Sequence, residues 1–435
     1  MMPKQNNSLK TNNESLIPID VGAISQFATG KLEQSPTIFV QYTLYDLIDE
    51  NRLRESLIQA LDIFTQFKVK LVYDSLENKV FYSKNELEPD IYHYDGKSNL
   101  FGKNSNDYLF RVYCDGKNIS LSMHHMLTDG FGATNFLNLI LSFYYGLDPY
   151  RELILDPKDF EDPYVLYGDD SVKGFSMKNK WSNEIIIPND MKFRRGETYL
   201  TNEISFSITD LLKRSKRAES SVFPLLSWLL SKAVAKAYEC EDKTIVSSGA
   251  LNCRKLFDSK TPKCFSHSFN MILHPRELNM DIDKQLTIQR ARMDLELDKE
   301  TVSNELAFRR KAAEQRMEEL KEYINNQDAI DQKRKTDSSR ISFFNVYAGQ
   351  INFSEQLKPY VKDFKCAIPA TRNPIIVTSW SINEELHMNL EEASCYKSIA
   401  PYVIETAREY GIEANIVKSY DFCFDYYPME ELFDD

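Results

Sequence analysis

A β-hairpin followed at once by an apolar helix occurs twice in this chain, once in each half. The first begins with Tyr108 to Cys114, turns at Asp115-Gly116 and returns through Ile119 to His125, whose side chains alternate between two faces. After Gly130 the residues Ala133, Phe136, Leu137, Ile140, Leu141 and Tyr144 recur at helical spacing. Leu139 and Phe143 on the other faces predict that this helix is deeply buried. The second unit runs through Ile375 to Ile382, the polar turn Asn383-Glu384 and the alternating Leu386, Met388 and Leu390. A helix carrying Ile399, Val403, Ile404 and Ala407 follows it. A chain that repeats hairpin then helix is constrained to two related α/β layers, each with a face to bury.

Other segments fill in the layers. Leu53, Leu57, Ala60, Leu61 and Phe64 predict a helix from Leu53 to Phe64, and Val69 to Val72 and Val80 to Tyr82 predict short strands around a polar turn. Asp156 to Asp170 is acidic, holds Pro157 and Pro163 and keeps no period, so it and the polar stretch to about Glu197 read as a crossover. The expected division is an N-terminal half over 1–170, a crossover over 171–200 and a C-terminal half over 201–435. In the second half Glu203 to Ile208 alternates as a strand. Thr209 or Asp210 is placed to cap the helix after it, and Ser220 or Ser221 to cap a further helix through Tyr238. Ile245 to Leu251 predicts a strand. A polar helical region from about Asp281 to Asn325 carries an apolar seam of Val302, Leu306, Ala313, Met317, Leu320 and Ile324.

A chain of 435 residues exceeds one ordinary domain of roughly 150, and 42% hydrophobic residues supply a sizeable core. Lys and Arg number 53 against 65 Asp and Glu, a net −12 that repels phosphate backbones and anionic lipid, so no nucleic-acid partner is expected. Seven scattered cysteines without a C-x-x-C pair fit neither a disulfide framework nor a zinc ribbon and point to a reducing, cytoplasmic home. Met1 to Asn13 lacks the apolar stretch of a secretory signal. The most apolar runs, Phe136 to Leu147 and Val222 to Leu230, are shorter than the ~18–20 residues a bilayer needs, so no transmembrane segment is expected.

The run Ser122-Met123-His124-His125-Met126-Leu127-Thr128-Asp129-Gly130-Phe131-Gly132 closes the first hairpin. With a side-chain period of two, Ile119, Leu121, Met123 and His125 share one side of the strand and Ser120, Ser122 and His124 the other. Two histidines pointing opposite ways do not chelate one ion together, and no H-E-x-x-H supplies ligands at helical spacing, so no metal is expected. His125 ends an apolar row where the chain leaves the strand, and a neutral imidazole there takes up a proton near neutral pH, the chemistry of a general base. Asp129 stands directly before the helix that begins near Phe131, where exposed amides and the helix dipole favour a carboxylate, so it reads as a brace. Gly130 and Gly132 let a turn fold the loop back towards His125 and aim backbone N–H groups at a developing oxyanion. Taken singly, each also has an ordinary structural reading: a satisfied core histidine, a turn, a cap.

Together, at the spacing H-H-x-x-x-D-G, these residues resemble the active-site signature of the chloramphenicol acetyltransferase-like superfamily. That superfamily holds nonribosomal peptide condensation domains, plant acyltransferases of the BAHD type, polyketide-associated acyltransferases and alcohol acetyltransferases. Leu53 to Val72 is similar to the family's early helix and strand, and Leu251-Asn252-Cys253-Arg254-Lys255 to its strand carrying an arginine. Cys264-Phe265-Ser266-His267-Ser268-Phe269-Asn270 is similar to a weaker motif beyond that arginine. Ser342-Phe343-Phe344-Asn345-Val346-Tyr347-Ala348-Gly349 resembles the Asn and Gly positions of bacterial stand-alone members. The plant motif D-F-G-W-G has no counterpart, since its neighbourhood reads Asn345-Val346-Tyr347-Ala348-Gly349-Gln350, and the bacterial alcohol acetyltransferase-like branch is nearer.

The resemblance implies an α/β fold of two chloramphenicol acetyltransferase-like sandwich halves with a tunnel between them, entered by a thioester from one face and an acceptor from the other. His125 is then the catalytic base. His124, Asp129 and Gly130 complete the catalytic signature, Asp129 pairs with an arginine of the other half for which Arg254 is the candidate, and Asn345 supports the site. A surface charge is the ordinary alternative for Arg254. The second hairpin lacks its own H-H-x-x-x-D-G, so one site per chain is expected; the chain is also expected to be a monomer. The implied activity moves an acetyl or short acyl group from coenzyme A to an alcohol or amine. Acyl-CoA is a cosubstrate in that scheme, and no cofactor is held permanently. A condensation or offloading enzyme that takes its thioester from the phosphopantetheine arm of an acyl carrier protein stays open, as does a noncatalytic binding protein of the same fold.

Lys333, Arg334, Lys335 and Arg340 either meet coenzyme A phosphates or form a solvated basic turn. Asp156, Asp159, Glu161, Asp162, Asp169 and Asp170 read as an acidic crossover rather than a calcium site, and His93, His267, His274 and His387 as structural. The stretch from Asp421 to Asp435, with Phe422, Phe424, Tyr426, Tyr427 and Phe433, packs on the body or on a partner. No G-x-G-x-x-G after a strand, no P-loop and no G-x-S-x-G elbow is present, which removes dinucleotide, nucleotide and serine-hydrolase readings.

Overall fold

The computed structural model describes residues 16–29, 37–74, 79–93, 105–148, 155–174, 182–185, 187, 198–325, 341–351, 353–368, 374–393 and 397–423. The first half supplies strands β1 (Ile17–Pro18), β2 (Thr37–Leu44), β3 (Val69–Asp74), β4 (Lys79–Lys84), β5 (Ile91–His93), β6 (Phe110–Asp115) and β7 (Asn118–His124). Its helices are α1 (Val21–Thr29), α2 (Glu50–Ile63), α3 (Gly130–Tyr144) and α4 (Pro163–Tyr167). The second half supplies β8 (Thr198–Ser207), β9 (Ile245–Asn252), β10 (Ser266–Leu273), β11 (Phe343–Gln350), β12 (Val361–Ala367), β13 (Ile375–Ile382), β14 (Glu385–Ala393) and β15 (Ala414–Cys423). Its helices are α5 (Ile208–Arg217), α6 (Val222–Tyr238), α7 (Arg254–Phe257), α8 (Pro275–Leu278), α9 (Ile282–Glu296), α10 (Lys299–Asn325) and α11 (Ala400–Glu409).

Among the described residues three sheets form, in the orders β1-β4-β3, β12-β2-β7-β6-β5 and β10-β9-β11-β13-β14-β8-β15. The two hairpins found in the sequence are β6-β7 and β13-β14, and their turn residues explain their registers. Asp115 pairs with Asn118, so Gly116 and Lys117 form the turn, one residue beyond the Asp115-Gly116 expected from sequence. Gly116 takes φ +59, the left-handed first position that glycine fills without strain. Ile382 pairs with Glu385, and Asn383 and Glu384 both take positive φ, at 50 and 68, as a type I′ turn requires.

Two large apolar cores form, and the first also takes in residues from beyond 201. Leu53, Leu57, Ala60 and Leu61 of α2 join Phe136, Leu137 and Ile140 of α3 against Ile38, Val40, Leu121 and Met123 of the five-stranded sheet. Phe67 meets Phe136 edge to face at 4.9 Å, an arrangement favoured by the ring quadrupoles. In the second half Leu225, Trp228 and Leu229 of α6 and Val403 and Ala407 of α11 cover Ile375, Val377, Met388 and Leu390. The alternate residues of β13, Trp380 and Ile382, face the other way and join the first core.

Strand β12 ties the halves together. It lies within 201–435 by sequence, yet it pairs antiparallel with β2 and forms the edge of the first half's sheet. Across the gap Lys365 Nζ lies 2.7 Å from Glu203 Oε1, and Asn389 Nδ2 donates to the Cys366 carbonyl at 2.9 Å. Helix α10 likewise packs on α1 and α4 of the first half.

Several local readings change. The helical region over Asp281 to Asn325 is two helices, because Asp298 Oδ2 accepts from Glu300 N–H and Thr301 N–H at 3.1 and 3.3 Å and so starts α10 afresh. Its Val302, Leu306 and Ala313 are fully buried as the seam requires. Strand β8 runs straight into α5, so the cap is Ser207, which accepts from Asp210 N–H, rather than Thr209 or Asp210. In the crossover, Asp156 and Asp159 cap a short 3-10 turn over Pro157–Phe160, and Asp162 Oδ2 accepts from Val21 N–H at 2.7 Å. These acids are consumed as caps. Most of 175–197, the basic turn at Lys333, Arg334, Lys335 and Arg340, and the stretch beyond Cys423 lie outside the described residues.

Candidate active site

Strand β7 ends at His124, whose position is fixed by its register with Thr37 of β2. His124 is 3% exposed, and its Nδ1 accepts from Met126 N–H at 3.0 Å. The chain leaves the strand at this point, so the half-buried His125 stands in the turn between β7 and α3 rather than as the last residue of the strand row. Its Nδ1 lies 3.7 Å from Cys264 Sγ, a side chain from the other half.

Four residues on, Asp129 caps α3 with one oxygen and crosses to the second half with the other. Oδ1 accepts from Gly132 N–H at 3.2 Å, while Oδ2 accepts from Arg254 Nη1 and from Phe265 N–H, both at 2.8 Å. Arg254, 3% exposed at the start of α7, is a buried brace rather than a surface charge. It also donates from Nε to the Thr261 carbonyl at 2.7 Å, from Nη1 to Asn252 Oδ1 at 3.0 Å and from Nη2 to the Lys263 carbonyl at 2.6 Å. The ring of Phe131 lies against its guanidinium at 4.6 Å. Burial would raise the Asp129 carboxyl, but the Arg254 charge and the hydrogen bonds from Arg254, Phe265 and Gly132 outweigh it and hold the carboxyl below the usual range. Asp129 is therefore held in its anionic form with both oxygens committed.

Gly132 makes the approach of the two loops possible. A Cβ there would fall 1.8 Å from Thr128 Oγ1 and 2.6 Å from the Pro262 carbonyl, the same carbonyl that accepts from Thr128 Oγ1 at 2.5 Å. Gly130 differs from what its place in the motif suggests. It has no positive φ, and a Cβ there would meet nothing within 4 Å.

Solved structures carry the same architecture over nearly the whole chain. The epimerization domain from the third module of tyrocidine synthetase B aligns with TM-score 0.62 at 13% identity, covering 93% of this chain and 97% of that one. TRI101 of F. sporotrichioides, crystallised with coenzyme A and T-2, aligns with TM-score 0.59 at 10% identity over 91% and 97%. TRI3 trichothecene 15-O-acetyltransferase from Fusarium sporotrichioides aligns with TM-score 0.58 at 10% identity over 91% and 94%. The chain has the chloramphenicol acetyltransferase-like fold. No protein-family model and no curated protein matches the sequence itself.

Within this chloramphenicol acetyltransferase-like fold, His124 ends β7, His125 and Asp129 stand in the loop after it and Gly130 opens α3, and Arg254 joins them from the second half. Asn345 goes elsewhere. It is fully buried on β11, and its Nδ2 donates to Ser227 Oγ of α6 at 3.0 Å, on the helix-covered side of the second sheet. Two residues without a role in the sequence reading adjoin the site. Cys264 opens the Cys264–Asn270 segment that is similar to a weaker family motif, yet nothing local in the sequence marks it as a neighbour of His125. Asp20 caps α1 by accepting from Ala23 N–H at 2.8 Å and lies 3.8 Å from Lys263 Nζ. Burial, strengthened by Asp162 and opposed by Lys263, pushes its carboxyl up to about 6. Among the described residues no helix is long and apolar enough to cross a membrane, and no group of three or more His, Cys, Asp or Glu is placed to hold a metal ion.

Proposed function

We propose that the protein is an acyltransferase that moves an acetyl or other short acyl group from a coenzyme A thioester to an alcohol or amine, with His125 as general base. The observation that carries this reading is the position of His125, half-buried where the loop after β7 is locked to the second half by Asp129 and Arg254. The imidazole takes the proton of the acceptor hydroxyl or amine as its oxygen or nitrogen bonds to the thioester carbonyl carbon. Collapse of the tetrahedral intermediate breaks the C–S bond, and the imidazolium returns the proton to the departing sulfur. A thioester is already activated, so orienting both reactants replaces a bimolecular encounter and no acyl-enzyme is needed. Asp129, already accepting from three donors, positions the loop and takes no proton. Support comes from fold neighbours named for coenzyme A and for O-acetyl transfer.

The likeness to an epimerization domain favours a second reading, in which the thioester arrives on a carrier protein. The test supplies a panel of acyl-CoA donors and a carrier protein loaded with the same acyl groups, each with mixed alcohols and amines, and follows products by mass spectrometry. Acceptor-dependent turnover of free acyl-CoA is the expected result. Turnover confined to the loaded carrier would shift the reading to the second, and turnover of neither would remove both.

A further inference from the structure

Two adjacent histidines each meet a neighbour through the ring Nδ1. His124 Nδ1 receives Met126 N–H at 3.0 Å, so its neutral ring must carry the proton on Nε2. His125 Nδ1 meets Cys264 Sγ at 3.7 Å, and the same sulfur lies 3.9 Å from Ser266 Oγ. The geometry points to Cys264 as the positioning residue that sets the tautomer of His125: Nδ1–H donates to the thiol sulfur, S–H donates to Ser266 Oγ, and Nε2 carries the lone pair that works as the base. This rests on the proposed role of His125.

The sulfur is well placed to do this because its main chain cannot drift. Phe265 N–H is held by Asp129, the Lys263 carbonyl by Arg254 and the Ser266 carbonyl by Tyr164 Oη at 2.9 Å. On the other side α1 presses against it, since a Cβ on Gly22 would fall 2.9 Å from the Cys264 carbonyl and 3.1 Å from its Cβ. A thiol sulfur is a weak acceptor and its hydrogen a weak donor, so it passes this short chain without removing the imidazole's basicity. Burial and the neighbouring Asp129 and Asp20 charges push the Cys264 thiol up, which keeps it a neutral thiol rather than a competing nucleophile.

The test reads the ring nitrogens directly. In protein labelled with 15N-histidine, the His125 signals, assigned by their loss in His125→Gln, are expected to show a protonated Nδ1 and an unprotonated Nε2 above the ring's titration. His124 is expected to show the reverse. In Cys264→Ala the His125 preference is expected to weaken and kcat to fall about tenfold, with KM within about twofold, as the competent fraction and ring orientation are lost. Cys264→Ser, which keeps a donor and acceptor at this place, is expected to restore most of both. A lone pair on Nδ1 of wild-type His125, an unchanged tautomer in Cys264→Ala, or an acyl group found on Cys264 after incubation with acyl-CoA would overturn the inference. The expected tautomer in a protein without transferase activity would instead strike the proposed function and leave the tautomer assignment standing.

Discussion

The two hairpin–helix units place carboxylates at the starts of their helices in opposite electrostatic surroundings. In the first, Asp129 begins α3 and takes Arg254 and Phe265 N–H from the other half. In the second, Glu392 near the end of β14 reaches the start of α11. There Oε1 accepts from Ile399 N–H at 2.6 Å, and Oε2 accepts from Ser398 Oγ at 2.6 Å and Asn202 Nδ2 at 3.1 Å. These donors are neutral, so burial dominates and pushes the Glu392 carboxyl up to about 7, whereas Asp129 is held low. The histidines differ in parallel. His387 of the second hairpin stacks on Trp380 at 5.8 Å, while His125 stands in a turn against the opposite half. One architectural slot thus serves as a rivet between halves where an arginine reaches it and as a clasp within one half where none of its donors carries charge.

Breaking the rivet is expected to cost most. Arg254→Ala leaves Asp129 as a buried unpaired anion and should lower stability by about 3–5 kcal/mol in urea unfolding. A loss under about 1 kcal/mol would mean that the ion pair does not hold the loops together. The clasp is tested through pH. The folded-state pKa of Glu392 is raised from 4.5, so its contribution to stability is fully present below about pH 4.5 and is lost as pH rises through about 7. On the order of 2–3 kcal/mol should disappear across that window in the wild type, and Glu392→Gln should flatten the curve there. Asp129 has the opposite sign, with stability present above the usual carboxylate range and lost as pH falls through its depressed value. The smallest effect sharpens the comparison inside the motif. Gly132→Ala should cost about 1–3 kcal/mol by overpacking against Thr128 and Pro262. Gly130→Ala, made in open space, should change stability by less than about 0.5 kcal/mol.

The parts of the molecule legible in the sequence are those whose cause is local. Both hairpins, the turn at Asn383-Glu384, the burial of α3 and the capping position of Asp129 follow from period and turn chemistry, while the first turn falls one residue later than its Asp-Gly dipeptide suggests. The pairing of Asp129 with Arg254 came from resemblance, since nothing near Arg254 says where its charge goes. What escaped depends on contacts distant in sequence. The seven residues of β12 keep no clean alternation, their ladder is irregular between Val361 and Asp363, and their partnership with β2 is decided by how the halves meet. Cys264 beside His125, Asp20 beside Lys263 and Asn345 on Ser227 are likewise products of tertiary packing. The break before α10 was within reach, because Asp298 ahead of Lys299-Glu300 is a cap written in the sequence inside a polar helical stretch.

The most direct test follows the release of free coenzyme A thiol from acyl-CoA, with and without acceptor, in wild type and in His125→Ala. The expected result is acceptor-dependent release in the wild type that falls by about 10²–10⁴-fold in His125→Ala, with unfolding midpoint and acyl-CoA binding retained. Equal rates in the two proteins would contradict the account, because the loop that Asp129 and Arg254 hold between the halves would then present a histidine with no part in the chemistry.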